Sequence, residues 1–414
     1  MARRRASKRP KPRERTATLK RPGQMWEMAG EDRHVTTARR VTADSSEPQA
    51  LVTTHWFDSG EAGEPHSATI RFTGRRVGAR GVPESRDLFA QEERIDRVIP
   101  GTGPVSITTW VYGLESGEWT VSGQIVDGPG DACRPGSGTR SRAVDMQPVR
   151  PARWSWRRWA ISTGPDTPIK TRWALLAPIA AQPAVMPGIY TLLAVLGIAF
   201  ALVVQAAILG RGDLSVGRTL AASGIAIAAG LIGAKLWYAV LHPDESIIKG
   251  GWAVDGFLIV VPIAAAVILL MMDLPIGVAL DASTPGIFFA VAIGRIGCFF
   301  TGCCAGRCTA SRWGIWSSDR RVGARRVPTQ LIESGAGLAI GIATLFLVLG
   351  GISPVTGSIF VTAFVAYAVV RQVLLRLRVE QRRSPRTVPL TGLAAGVVTL
   401  AVIAMAMGQG PPTG

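Results

Sequence analysis

Seven long apolar runs in the second half of the chain restrict its fold more than any other feature. They lie near residues 188–209, 217–240, 252–271, 284–301, 329–350, 354–375 and 389–408. Each run is long enough to cross a bilayer core of about 30 Å. Because lipid offers no partner to a backbone N–H or C=O group, such runs fold as helices. The sequence therefore predicts a mainly α, seven-span helical membrane protein.

The residues before the first run differ in composition and divide into three parts. Residues 1–50 include RRRASKRPKPRER and show no apolar periodicity, which predicts a disordered basic tail. Residues 51–130 contain alternating segments such as SATIRFTG and VSITTWVYG, a pattern typical of a small soluble all-β, sandwich-like domain. Residues 131–172 are rich in Gly, Pro and Arg and are predicted to be a linker, which leaves residues 173–414 for the seven-span domain.

The chain is strongly basic, with a formal net charge of +17. Nucleic acid is not expected as a partner, because the basic tail lacks the interleaved aromatic residues of a stacking platform. A basic tail or loop lying on anionic lipid suits a membrane protein better. The membrane is therefore the expected partner of these charges.

The stretch from Gly294 to Glu333, GRIGCFFTGCCAGRCTASRWGIWSSDRRVGARRVPTQLIE, concentrates the residues that carry chemistry. Arg295 lies inside an apolar run, where its charge costs about 2.5–3.5 kcal/mol unless it faces a polar cavity or an anionic partner. Further arginines follow in the connection between two spans, which is expected to lie exposed at the level of the lipid headgroups. Guanidinium groups there are suited to binding phosphate.

Four cysteines lie close together in the same stretch, and three interpretations are open for them. They are Cys298, Cys303, Cys304 and Cys308. They could be small packing residues, a disulfide or redox pair, or zinc ligands. Their spacing matches no common zinc knuckle, so no metal site is predicted. If Cys303 lies beside Arg295, the pKa of its thiol should fall.

Two motifs in this part of the chain resemble those of a known enzyme family. GRIGCFFTGCCAGR resembles the GR-hydrophobe-GNFxNGExxG signature of prolipoprotein diacylglyceryl transferases, and RRVPTQLIES resembles their RHPTQLYE. The resemblance implies a bacterial, multi-pass plasma-membrane enzyme of lipoprotein biosynthesis that needs no cofactor. Its partners would be phosphatidylglycerol, which supplies the diacylglyceryl group, and the signal peptide of a prolipoprotein, whose cysteine thiol accepts it.

The same resemblance assigns roles to individual residues, some of which differ from the family pattern. The positions implied to be catalytic are Tyr190, Asp255, Arg295 and Arg371. Those implied to bind substrate are Lys235, Cys298, Cys303, Arg326, Gln330 and Glu333. Asp255 replaces a histidine of the family, Cys303 replaces a glutamate, and Leu375 stands where an acidic partner of Arg371 is usual. Tyr190 is equally consistent with an interfacial aromatic residue, and Asp255 with an ion-pair partner of Lys235 or Arg295.

These replacements leave two hypotheses about function and two about orientation. The chain is either a transferase or a non-catalytic relative that binds anionic lipid or lipoprotein and presents its β domain to a partner. The resemblance implies a site outside the cytoplasm, whereas the basic segments 1–50, 303–328 and 376–388 favour the cytoplasmic side by the positive-inside rule. The side on which the N-terminal domain lies stays open.

Overall fold

The computed structural model describes residues 49–61, 63–78, 84–127, 144–150, 162–163, 168–212, 214–241, 254–353 and 355–379. The predicted tail, apart from its last two residues, and the predicted seventh span near 389–408 lie outside these ranges.

The N-terminal part is rich in β-structure. Its five long strands are β1 (Gln49–Asp58), β2 (His66–Arg76), β3 (Leu88–Val98), β4 (Pro104–Leu114) and β5 (Glu118–Asp127). Five short strands follow, namely β6 (Val144–Asp145), β7 (Gln147–Arg150), β8 (Ser162–Thr163), β9 (Ile169–Lys170) and β10 (Arg172–Trp173). The short strands lie in or near the segment predicted to be a linker, and each pairs with a strand of the two sheets described next.

Two sheets share one apolar core. One sheet contains β4, β1, β7 and β8 in that order, with β10 also on β1, and the other has the order β3-β2-β5-β6, with β9 on β5. The alternating apolar residues of β2 and β4 point into the core, as the sequence pattern predicts. Its fully buried side chains include Leu51, Ile70, Phe72, Ile107 and Trp119.

Six α-helices form the C-terminal part. They are α1 (Ile189–Leu209), α2 (Val216–Leu241), α3 (Val254–Met271), α4 (Ile276–Thr301), α5 (Thr329–Leu349) and α6 (Ser358–Leu375). Among the described residues, all except α3 are long and apolar enough to cross a membrane, and α3 contributes the shorter apolar segment Val260–Met271. The chain is thus a multi-pass membrane protein with five such helices described, and the count of seven stays a prediction.

Small residues let α4 pack closely between α1 and α5. A Cβ atom on Gly197 of α1 would lie 3.2 Å from the Cα atom of Ala290, and one on Gly337 of α5 would lie 3.3 Å from the carbonyl oxygen of Phe288. Close backbone contact of this kind is usual between membrane helices. The backbone N–H of Met186 donates to the carbonyl of Phe300 at 2.8 Å, so α1 begins beside the end of α4.

The connection between α4 and α5 is ordered and is not an exposed loop. It forms a hairpin of β11 (Ile315–Ser318) and β12 (Val322–Arg326), and β12 pairs antiparallel with β4. The hairpin therefore extends the first sheet of the N-terminal region. Arg320 and Arg321, expected to be exposed, are half-buried, because Arg320 donates to the carbonyl of Thr301 at the end of α4 and Arg321 contacts Glu93 on β3.

Candidate active site

A single buried carboxylate organises the arginines at the end of the helical bundle. Glu333 on α5 has no exposed surface. Its Oε1 atom lies 3.0 Å from Nη2 of Arg295 and 3.1 Å from Nη1 of Arg371. The hydroxyl of Tyr367 donates to the same oxygen at 2.8 Å, and Nη2 of Arg378 donates to Oε2. Elements that are distant in the sequence therefore meet at one side chain.

The charges of this cluster do not cancel. Among the described residues, three guanidinium groups face one carboxylate, so positive charge is in excess. The Arg378 side chain is buried, but those of Arg295 and Arg371 keep 16% and 32% of their surface exposed. Buried like charges repel one another unless an anion compensates them. The cluster is suited to accept a further anionic group at the exposed side of Arg295 and Arg371.

The cysteine-containing turn follows directly after α4. Gly302 takes the left-handed conformation, with φ of 74°, and ends the helix there. Gln330 donates to the carbonyl of Cys303 at 2.9 Å, and the hydroxyl of Thr329 donates to that of Cys304 at 3.2 Å. The first turn of α5 thus fixes the backbone that carries the thiols.

Arg295 lies beside Cys298 and Cys304. Its Nη1 atom is 4.0 Å from Sγ of Cys298 and 3.9 Å from Sγ of Cys304. Hydrogen bonds with the Cys298 and Cys303 thiols, together with the charges of Arg378 and Arg295, lower the pKa of the Cys304 thiol. Hydrogen bonds with the Cys298 and Cys304 sulfurs raise the pKa of the Cys303 thiol. Arg295 thus contacts Cys298 and Cys304, so the condition on which a lowered pKa at Cys303 was expected, a position beside Arg295, is not met.

The four cysteines of this stretch are free thiols. Within the described part of the chain, no group of three or more His, Cys, Asp or Glu side chains is arranged to hold a metal ion. Contacts among Cys298, Cys303 and Cys304 nevertheless make them a connected set next to the arginines. Of the three interpretations, this structure contains neither a closed disulfide among the four nor a zinc site in the described residues.

Comparison with known proteins agrees with these motifs and with the bundle. Residues 179–409, more than half of the chain, match the family described as prolipoprotein diacylglyceryl transferase.

The chain belongs to this family.

Two curated relatives are phosphatidylglycerol–prolipoprotein diacylglyceryl transferases of Dehalococcoides mccartyi. The protein of strain 195 is 31% identical over 132 residues, which cover 29% of this chain and 51% of the relative. The protein of strain BAV1 is 32% identical over 101 residues, which cover 23% of this chain and 39% of the relative. The chain thus spans about half or less of the length of these transferases.

Several residues with implied transferase roles come together around Arg295. Glu333 and Arg371 bind each other, Gln330 fixes the turn of Cys303, and Cys298 contacts Arg295. Tyr190 also lies here, because a Cβ atom on Gly297 would be 3.2 Å from its Cα atom. The phenol of Tyr190 is within electrostatic range of Arg295 and of the thiols.

Arg326, Lys235 and Asp255 are placed differently. Arg326 is buried in the hairpin, where it binds Asp319 at 2.8 Å and donates to the carbonyl of Gly306 at 3.1 Å. This geometry favours a structural role. Lys235 is half-buried on α2, which packs chiefly against α3. The backbone of Asp255 lies in the first turn of α3, and its side chain is outside the described atoms. The roles of these three residues stay predictions.

The sequence analysis missed Arg378 and Tyr367. Both bind Glu333, and Arg378 is almost completely buried although it follows the end of α6. Because position 375 is not acidic, the sequence suggests that Arg371 has lost its ion-pair partner. In the structure Glu333, on α5, is the carboxylate that pairs with Arg371. The spacing of Tyr367 and Arg371 was a usable signal, because residues four apart lie on one face of a helix. No such signal marked Arg378, which lies beyond the helix.

Proposed function

We propose that this chain is a phosphatidylglycerol–prolipoprotein diacylglyceryl transferase of the plasma membrane. The observation that carries the proposal is the excess positive charge around Glu333, where α4 ends and α5 begins. Family membership and the transferase relatives support the reaction type. The phosphodiester of phosphatidylglycerol is the anion that such a cluster would accept, with Arg295 and Arg371 contacting it.

The reaction forms a thioether between the prolipoprotein cysteine and the diacylglyceryl group. The cysteine thiolate attacks the glycerol carbon that carries the phosphate, a C–S bond forms and the C–O bond breaks. The electron pair of that bond leaves with the glycerol phosphate. Arg295 and Arg371 stabilise the leaving phosphate, because charge-assisted hydrogen bonds strengthen as negative charge develops.

The substrate thiol must also lose its proton to a base. Glu333 is a poor candidate, because both its oxygens already bind guanidinium groups and one also accepts from Tyr367. Its role is to hold the arginines in place. Asp255, at the position of the family histidine, is the remaining carboxylate that we propose as the base.

Arginine-to-lysine variants test the phosphate contact. Lysine keeps the charge beside Glu333 but cannot reproduce two parallel hydrogen bonds to one phosphate. We expect Arg295→Lys and Arg371→Lys to weaken phosphatidylglycerol retention in native mass spectrometry about tenfold or more, since a charge-assisted hydrogen bond contributes about 1.5–3 kcal/mol. Transfer to a lipobox peptide should fall with it.

Arg312→Lys is the matched control, because Arg312 is exposed and lies over the ring of Trp313. Arg320 and Arg321 are less suitable as controls, because both are half-buried. Equal lipid retention in all variants would remove the phosphate assignment. Failure of the wild-type chain to complement a strain depleted of its own transferase, despite proven membrane insertion, would remove the transferase proposal.

A non-catalytic lipid-binding relative is the second candidate. Cys303 stands at the position of the family glutamate, and its raised pKa makes it a weak acid that does not supply a charge at neutral pH. Leu375 likewise replaces an acidic residue. Phosphatidylglycerol binding without any diacylglyceryl transfer by the purified chain would favour this candidate. Transfer that disappears in Arg295→Ala would exclude it.

A further inference from the structure

The N-terminal β-rich region and the membrane site are joined by backbone pairing. Val322 pairs with Ile107 and Gly323 with Ser106, so β12 is a neighbour of β4 in the same sheet. The backbone N–H of Thr108 donates to the carbonyl of Arg321 at 2.7 Å. Val322 also packs into the core of the N-terminal region, together with Ala324. The hairpin is therefore a structural part of that region.

Side chains reinforce the pairing on both sides of the hairpin. Nη2 of Arg321 lies 3.0 Å from Oε2 of Glu93, on β3. The indole N–H of Trp316 donates to the carbonyl of Pro104 at 2.9 Å. Gly323 allows the close approach, because a Cβ atom there would lie 2.4 Å from Oγ of Ser106 and 2.7 Å from the Trp316 ring. A larger residue at position 323 would require the Ser106 hydroxyl and the Trp316 ring, which hold the hairpin against β4, to shift.

A short series of contacts leads from the hairpin to the arginine cluster. Arg326, the last residue of β12, holds the carbonyl of Gly306 in the cysteine-containing turn. That turn pairs with the segment after α6, because Arg307 N–H donates to the carbonyl of Leu377 at 2.8 Å and Val379 N–H donates to that of Ala305 at 3.0 Å. Between these two bonds lies Arg378, which binds Glu333.

We infer that the N-terminal β-rich region is a positioning element of the candidate site. By adding β12 to its sheet, it fixes the connection that orients Cys304 and Arg378 around Glu333. An unsupported connection of this length would sample many conformations, and each would have to be excluded when substrate binds. Glu93 and Arg321 are the positioning residues at the junction. The inference rests on the proposed function only for its effect on the rate of transfer. The positions of Cys304 and Arg378 can be tested without measuring transfer.

Charge reversal at the junction tests this inference. Arg321→Glu places two like charges together at Glu93, and Glu93→Arg with Arg321→Glu restores an attractive pair. We expect the alkylation rate of Cys304 in the full-length chain to change about threefold or more in Arg321→Glu, a size typical of residues coupled through one network of contacts. The double variant should return the rate toward that of the wild type. Phosphatidylglycerol retention should follow the same order, with expression unchanged.

The matched control is a second ion pair of the same region, whose glutamate is the residue before Glu93 on β3. Arg71 and Glu92 lie 2.7 Å apart on β2 and β3, and both side chains are exposed. Arg71→Glu, alone and with Glu92→Arg, should leave Cys304 alkylation and lipid retention as in the wild type. A change of equal size here would mean that any damage to the region acts on the site and would overturn the assignment to this junction.

A steric variant gives an independent measurement. Gly323→Val should expose the hairpin to limited proteolysis and change Cys304 alkylation, whereas Gly224→Ala on α2, where a Cβ meets nothing within 4 Å, should do neither. Unchanged alkylation in both Gly323→Val and Arg321→Glu would overturn the inference. If the wild-type chain shows no transferase activity, the proposed function is contradicted. The alkylation and proteolysis measurements would still test the inference.

Discussion

Glu333 stabilises three arginines that would otherwise repel one another in a low-dielectric environment. The carboxylate is fully buried and contacts Arg295, Arg371 and Arg378. Removing the single negative charge of such a network leaves buried charges without compensation, which is far less favourable than losing one exposed ion pair. The residue therefore determines whether the cationic site can exist in the absence of lipid.

Glu333→Gln keeps the volume of the side chain and removes its charge. We expect the free energy of unfolding in detergent to fall by about 3–5 kcal/mol. Glu118→Gln is the control, because its exposed carboxylate lies 3.4 Å from Nζ of Lys170, and a change below about 1 kcal/mol is expected. Equal, small losses in both variants would contradict the role of Glu333.

Cys304 should react as a thiolate at a pH where an ordinary thiol is protonated. Its pKa is lowered by hydrogen bonds with Cys298 and Cys303 and by the charges of Arg378 and Arg295. Because the folded-state pKa lies below the unfolded-state value, the thiolate stabilises the fold above the unfolded pKa. This contribution is lost as the pH falls through the folded pKa.

Iodoacetamide labelling followed by mass spectrometry measures this at each pH. Between pH 8 and pH 5 the rate at Cys304 should fall much less than the rate at the same residue in the denatured chain. Cys303 should stay the slower of the two, since its pKa is raised. A rate at Cys304 that falls tenfold per pH unit, as in the denatured chain, would contradict the lowered pKa.

At the scale of elements, α6 depends on a charge supplied by another helix. Asp281 on α4 accepts hydrogen bonds from the backbone N–H groups of Gly357 and Phe360 at 2.7 and 2.9 Å. These donors lie at the start of α6, where no residue of the same helix can satisfy them. The carboxylate therefore caps a neighbouring helix and also interacts favourably with its dipole.

Asp281→Asn should lower the free energy of unfolding by about 1–2 kcal/mol, because one acceptor and the charge are lost. Hydrogen exchange should rise in the first turn of α6 and not in α5. Asp273→Asn, in the turn after α3, is the matched control and should change neither quantity, since Asn also tolerates the positive φ of 54° found there. Unchanged exchange at α6 in Asp281→Asn would show that the cap contributes nothing.

The sequence predicts the bounds of α1, α2 and α5 to within about one residue. It places the start of α4 eight residues late, at 284 in place of Ile276, because Asp281 interrupts the apolar pattern. The charge is tolerated only through α6, which local periodicity cannot reveal. For the same reason the sequence could name Arg295, Arg371 and Glu333 but not their common contact. It gave no sign that β12 would pair with β4, since strand pairing between distant segments has no local signal.

At the scale of the whole molecule, the described N-terminal region, the hairpin and residues 376–379 lie at the same end of the helical bundle. The hairpin is paired with β4, and the segment after α6 is paired with the cysteine-containing turn. Helix α1 begins beside the end of α4, so the N-terminal region enters the membrane from this side as well. The structure thus fixes the relative positions of these parts, whichever side of the membrane they occupy.

Added cysteines would report this arrangement. Arg71→Cys in the β-rich region and Arg312→Cys in the hairpin should react with an impermeant maleimide from the same face of sealed vesicles. Arg211→Cys, exposed between α1 and α2, should react only from the opposite face, and the unsubstituted chain gives the background of native thiols. Labelling of positions 71 and 312 from opposite faces would contradict the pairing of β12 with β4.

The pairing of Trp316 with Pro104 joins residues that are 212 positions apart in the chain. A ribosome adds about 5–20 residues per second, so roughly 10–40 s pass between the synthesis of β4 and that of its partner strand. During this interval one edge of β4 is available to other chains, which is where strands aggregate. The first sheet of the N-terminal region is thus completed only after the four helices α1 to α4 have been made.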